Sequence, residues 1–263
     1  MIRSAVCFAL AIGIHAISTT STSAAVLSTG GAIIDFDAAA WAGLSGGANS
    51  PGFEFVTPDE FFNQSAANAR TSTQILGDEI VASPLFNGLS FGLNDSTVSN
   101  LAGRTAQPTT FNFDPSGSLT THTGVIGLGG VTRWAVNPGI GGKLVAGDFT
   151  LFYDPSRLAA PFNGTGWALA NNIAPAGVAF DIKNVVATIS PGSISIVGDL
   201  TVSYEVANLL FTTPADQGKD VGNINFTATY VPEPGSSVML LGSLCLMARR
   251  KRCSPRGIHQ RDL

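Results

Sequence analysis

Between Val26 and Val231 the chain has no cysteine; its three cysteines, Cys7, Cys245 and Cys253, all lie outside that stretch. A body without thiols has no disulfide, no cysteine nucleophile and no zinc–sulfur centre, so its stability must come from a packed core. Histidine is almost as scarce, with His122 alone in the same stretch. One imidazole does not make a catalytic zinc site of the usual composition. Basic residues are few as well. Seven lysines and arginines stand against sixteen acidic residues between Val26 and Val231, a net charge of −9. That balance argues against nucleic acid or anionic lipid as a partner, because phosphate binding depends on Lys and Arg. Long apolar runs are missing too: the two clearest, Ala5 to Ile14 and Gly235 to Ala248, have 10 and 14 residues, short of the ~20 that a spanning helix needs.

What is present at the two ends reads as address. Arg3 precedes the apolar run Ala5 to Ile14, and a Ser/Thr-rich stretch then leads to Ser23-Ala24-Ala25. A basic start, a short apolar segment and small residues at the end match a secretory signal peptide. Residues 1–25 are expected to be removed by signal peptidase after Ala25, leaving a body of one domain over 26–231.

The other end has three parts in order. Pro232-Glu233-Pro234 is a stiff extended tripeptide, because each proline fixes its own φ and disfavours helix in the residue before it. The apolar segment Gly235 to Ala248 follows, and then four cations, Arg249, Arg250, Lys251 and Arg252. As a helix the apolar segment spans about 21 Å, against ~30 Å of hydrocarbon. Cations placed after it stay on the cytoplasmic side. This order suits a temporary stop with Pro-Glu-Pro at the outer membrane face. A plain tail anchor behind a proline-rich linker is the other reading of the same residues.

Val231 to Arg252 resembles the PEP-CTERM sorting signal in its Pro-Glu-Pro motif, its apolar length and its basic block. The resemblance covers 232–252 and does not extend to the body. It implies recognition by an exosortase, a membrane-embedded transpeptidase-like enzyme, with cleavage near Pro232, Glu233 and Pro234. It also implies an exported protein of the cell surface, anchored transiently in the inner membrane with its C-terminus cytoplasmic and found among bacteria that make exopolysaccharide and biofilm. The basic extension 253–263 continues past the point where such tails usually stop.

The body reads mostly as strands separated by closely spaced turn residues, which predicts an all-β, antiparallel β-sandwich of jelly-roll type with one to three short helices. Phe180 to Ile189, Ile194 to Ala207, Asn223 to Tyr230 and Lys143 to Tyr153 are the clearest strands, with Leu200, Val202, Tyr204 and Val206 on one face of the second. Thr57-Pro58-Asp59-Glu60 has the form of a capping box and predicts a helix from Pro58 to about Ala69. Asp154-Pro155 and Asp37 to Leu44 predict two more helical turns.

Chemistry-bearing groups are sparse. His122 has Asp114 and Ser118 close in sequence, and reads as a solvated strand histidine. The carboxylate pairs Asp59/Glu60 and Asp78/Glu79 do not frame a scissile bond. Asp35 and Asp37 are the candidate Ca²⁺ ligands, and no other cofactor is indicated. Trp41, Trp134 and Trp167 are expected in the core, whereas a carbohydrate-binding module would need one of them exposed. The expected function is structural and non-enzymatic, at the cell surface with polysaccharide as partner. A carbohydrate-binding module is the alternative, and a secreted hydrolase the third reading.

Overall fold

The computed structural model describes residues 24–44, 56–77, 86–98, 100, 102–136, 143–210 and 214–233. The expected signal peptide up to residue 23, Pro234, the apolar tail segment with its short helix, the cations Arg249 to Arg252 and the pair Asp78/Glu79 lie outside them.

Among the described residues eleven strands occur in chain order: β1 (Ala25–Phe36), β2 (Val56–Asn63), β3 (Leu89–Leu93), β4 (Asn112–Phe113), β5 (Ile126–Val136), β6 (Lys143–Gly147), β7 (Thr150–Tyr153), β8 (Trp167–Asn171), β9 (Gly177–Ser190), β10 (Ser193–Val202) and β11 (Asp220–Pro232). Four short α-helices accompany them in the same residues: α1 (Ala38–Ala42), α2 (Gln64–Asn68), α3 (Ser72–Gly77) and α4 (Tyr204–Leu210). The chain is mostly β with few short helices.

The sheet closes on itself. Strands β11, β10, β9, β8, β7, β5, β3 and β1 are neighbours in that order, and β11 pairs back onto β1. Every one of these pairings is antiparallel. The result is an eight-stranded up-and-down barrel, and the expected sandwich is corrected. Alternation along a strand says only that one face is buried, which is equally true of a sandwich and a barrel. What decides is the first strand, whose Gly31–Ile34 segment pairs with β3 on one side and β11 on the other. The remaining strands are excursions between barrel strands: β2 and β6 flank the far half of β5, and β4 pairs the start of β1.

Two glycines allow this geometry. Gly30 has φ +153°, and a Cβ there would collide with the Thr227 carbonyl of β11, so the closing seam needs a residue without a side chain. Gly130 has φ +142° and stands where β5 leaves its barrel neighbours β7 and β3 for β2 and β6. A Cβ at that point would lie 2.9 Å from the Phe91 ring.

Inward-facing side chains fill the barrel. Ile34, Phe91, Leu128, Leu151, Leu169, Ile182, Ile196, Leu200, Ile224 and Phe226 are all inaccessible to solvent. Each such residue stabilises the fold by about 1.5–3 kcal/mol relative to exposure. Burial of this core stands in for the disulfides that a stretch without cysteine between Val26 and Val231 cannot form.

Asp37 caps α1, accepting from the Ala39 and Ala40 amides at 2.8 and 3.0 Å, and Asp154 caps a 3₁₀ turn at Pro155–Leu158. The helix expected from Pro58 to Ala69 is instead strand β2 followed by α2, capped by Asn63. Asp59 and Glu60 are drawn to Arg133 of β5 at 2.7 and 3.0 Å, and this long-range pairing overrides the local capping box. The strand expected to continue to Ala207 ends at Val202, and Tyr204 to Leu210 form α4. Lys143 to Tyr153 is interrupted at Asp148, whose φ of 45° turns the chain between β6 and β7.

Candidate functional site: a tryptophan-walled pocket

Trp41 sits on α1, immediately after β1, and Trp134 lies on the half of β5 that extends beyond its barrel neighbours. Their ring centroids are 4.8 Å apart, and Phe36 and Phe180 complete the cluster at 4.9 and 5.8 Å from Trp134 and Phe36 respectively. These indoles wall a pocket of about 110 Å³. Ala146 of β6, Val178 of β9 and Val206 and Leu209 of α4 are among the other residues of the wall.

The polar groups around the pocket are committed elsewhere. Asn171 accepts from the Gly147 and Ile173 amides and donates to the Ile173 and Pro175 carbonyls. Both Glu205 oxygens accept from Arg157, at 2.7 and 2.9 Å. Arg157 also donates to Asp181 at 2.7 Å and lies 4.3 Å from the Phe162 ring centroid. Burial opposes the charge on Arg157, but its hydrogen bonds to Glu205 and Asp181 outweigh that and raise its pKa. The two acids respond differently. Burial raises the Asp181 pKa in spite of Arg157, whereas for Glu205 the penalty of burial is overcome by Arg157 and the pKa falls. The exceptions are the indole N–H groups of Trp41 and Trp134, which are buried and have no hydrogen-bond partner.

Sequence-based candidates lie elsewhere and do not converge. Asp35 accepts from the Gly88 amide at 2.5 Å, while Asp37 is occupied by its own helix N-terminus. Among the described residues no three His, Cys, Asp or Glu side chains gather as a metal cluster. His122 is not a solvated strand residue. It follows a 3₁₀ turn, is half-buried, and stacks between Phe111 and Trp167 at 4.3 and 5.6 Å. Burial pushes its pKa below the ordinary value, with the Leu119 and Gly124 backbone pulling back. Asp114 accepts from Ser116 and Ser118 from Thr120, so neither is bonded to the imidazole.

Asp59 and Glu60 meet at Arg133, because a register shift between Pro58 and Glu60 lets neighbouring residues reach one partner. Ala25 is buried and paired with Pro232, and the Glu233 amide donates to the Ala24 carbonyl at 2.6 Å. Trp41, Trp134 and Trp167 are 6%, 3% and 2% exposed, so none offers a surface stacking platform.

Sequence reasoning missed three buried arginines. Arg104 forms a two-pronged pair with Asp148 at 2.7 and 2.6 Å and also donates to the Ala67 and Arg70 carbonyls. Arg133 and Arg157 complete the set. The available signal was position: Arg133 stands two residues after Val131, on the same face of a strand, in a body with little charge to spare. Among the described residues no helix is long and apolar enough to cross a membrane. Comparison with protein families, with curated proteins and with solved structures returns no match for this chain.

Proposed function

We propose that this chain is an exported surface or matrix protein, sorted by an exosortase through residues 232–252 and associated structurally with exopolysaccharide. The sequence from Val231 to Arg252 carries the sorting half of this reading. Its position supports it, since the motif begins at Pro232, the last residue of β11, on the seam that closes the barrel. Pro232 and Glu233 are exposed. The residues facing them across the seam are Ala24 and Ala25, where the expected signal peptide ends. Both processing sites therefore belong to one edge of one body, and removing them leaves the core of β1–β11 pairs intact.

The polysaccharide half is supported by the outer face of β1, β11, β10 and β9. Register aligns Thr29, Thr229, Ser193 and Ser190 in one row and Gly31, Thr227, Ser195 and Thr188 in the next. These rows carry hydroxyls and no charge, which suits hydrogen bonding to a neutral glycan without the salt sensitivity of an ionic surface.

Replacing Pro232-Glu233-Pro234 by three alanines tests the sorting. The variant should be exported yet retained in the membrane fraction with its tail attached. Normal release of that variant would contradict the proposal. For the second half, the native protein should co-sediment with neutral exopolysaccharide of its host, and Thr227→Lys with Thr188→Glu should weaken that association. Equal recovery with and without polysaccharide would remove it.

A further inference from the structure

We propose that the Trp41/Trp134 pocket is a binding site for a small, uncharged, largely apolar molecule that presents a hydrogen-bond acceptor, such as a ketone, ester or ether group on a ring or short alkyl chain. Size, polarity and hydrogen-bond supply all point to that class.

The pocket's volume of about 110 Å³ approaches the ~150 Å³ of an apolar protein cavity that takes up benzene. It therefore admits one ring or the end of a chain. Sites of this kind recur at the mouths of β-barrels, where an apolar wall meets a few polar groups. This one is walled by the apolar faces of Trp41, Trp134, Val178, Val206 and Leu209.

Charge offers nothing to an ionic ligand. Glu205 is the charged residue of the lining, and both its oxygens are held by Arg157. A carboxylate or ammonium ligand would lose its hydration without gaining a partner, which costs far more than burying an uncharged group. Asn171 has its donors and acceptor engaged as well.

What remains unmatched is donor capacity. The indole N–H groups of Trp41 and Trp134, two residues that line the pocket, are buried and have no acceptor, the residues being 6% and 3% exposed. Buried tryptophan N–H groups usually find a partner, and two unpaired donors on neighbouring rings are costly. An acceptor on a bound molecule satisfies one or both after a small rotation of the rings. Apolar bulk then supplies affinity, and the acceptor supplies selectivity.

The experiment titrates the full-length protein with acetophenone, ethylbenzene and benzoate, following binding by calorimetry and ligand-observed NMR. Acetophenone should bind saturably and about fivefold more tightly than ethylbenzene, the effect of one added hydrogen bond. Benzoate should bind more weakly than either. Trp134→Phe and Trp41→Phe keep the aromatic wall and remove one donor each. At least one of them should abolish the preference for acetophenone while ethylbenzene still binds. Ala146→Leu, at a half-exposed wall position, should block all three compounds without a large change in the thermal midpoint. Absence of saturable binding by acetophenone and ethylbenzene overturns the proposal. So does equal affinity for the two, or an acetophenone preference that both tryptophan variants retain.

Discussion

The two halves of the barrel are built differently. From β7 to β11 the chain is a plain meander, in which each strand pairs with the next along the chain. From β1 to β6 every second strand leaves the ring: β2 interrupts β1 and β3, β4 interrupts β3 and β5, and β6 interrupts β5 and β7. The barrel strands of the meander are held by neighbouring apolar pairs, such as Leu200 with Ile182 and Ile196 with its β11 partner Phe226, and its buried arginine, Arg157, ties the β7–β8 connection to Asp181 only 24 residues on. The excursions rely on buried arginines, with Arg133 reaching 74 residues back to Asp59 and Arg104 reaching 44 forward to Asp148. Local pattern can specify the first kind of structure. The second kind exists only once distant segments have met.

The contrast predicts different responses to mutation. The largest effect is expected at Arg133, whose removal leaves Asp59 buried without a counter-charge. Arg133→Ala should cost about 3–5 kcal/mol in urea unfolding. Adding Asp59→Ala should recover part of that loss, because the uncompensated charge goes with it. If Arg133→Ala unfolds at the parental urea midpoint, the excursions are held by something other than their ion pairs.

In the meander, Leu200→Ala should cost about 2–5 kcal/mol, the ordinary penalty of a large-to-small change in a packed core. No second substitution at an ionisable residue should rescue it. A rescue by charge removal would blur the distinction between the halves. Asp37→Ala removes the cap of α1 and should cost about 1 kcal/mol.

These effects follow what the sequence reveals. Asn223 to Tyr230 alternates cleanly, so its strand could be read directly, and Asp37 and Asp154 announce their turns with side chains that act two or three residues away. Thr57-Pro58-Asp59-Glu60 has equally good local credentials and is a strand, since Arg133 offers both acids more than a helix N-terminus does. Tyr204 and Val206 continue the alternation of β10, yet the chain folds into α4 after Ser203, whose hydroxyl accepts from the Val206 amide at 3.0 Å. Barrel closure was hidden for a different reason. It depends on Gly30 meeting Thr227 across the seam, a contact between opposite ends of the body. The pocket was half visible: Trp41 and Trp134 read as core, which they are, but their rings meeting with both N–H groups left without acceptors is a product of the fold.

A smaller effect concerns pH. Because burial lowers the His122 pKa, the folded state prefers the neutral imidazole more than the unfolded chain does. Its contribution is fully present above the ordinary value of 6.5 and is lost as pH falls through the lowered one. The urea midpoint should therefore decline between pH 7.5 and pH 5, and His122→Phe should flatten the decline by keeping the stack with Phe111 and Trp167. An identical pH profile in that variant would place the sensitivity in another group.

The proposed export, with trimming at both ends of the closing seam, has one decisive measurement. Intact mass and terminal sequencing of the protein from its host's surface fraction test it most directly. A chain that begins near Val26 and ends within Pro232–Pro234 is the predicted result. A surface chain that still carries Arg249 to Arg252 would contradict it.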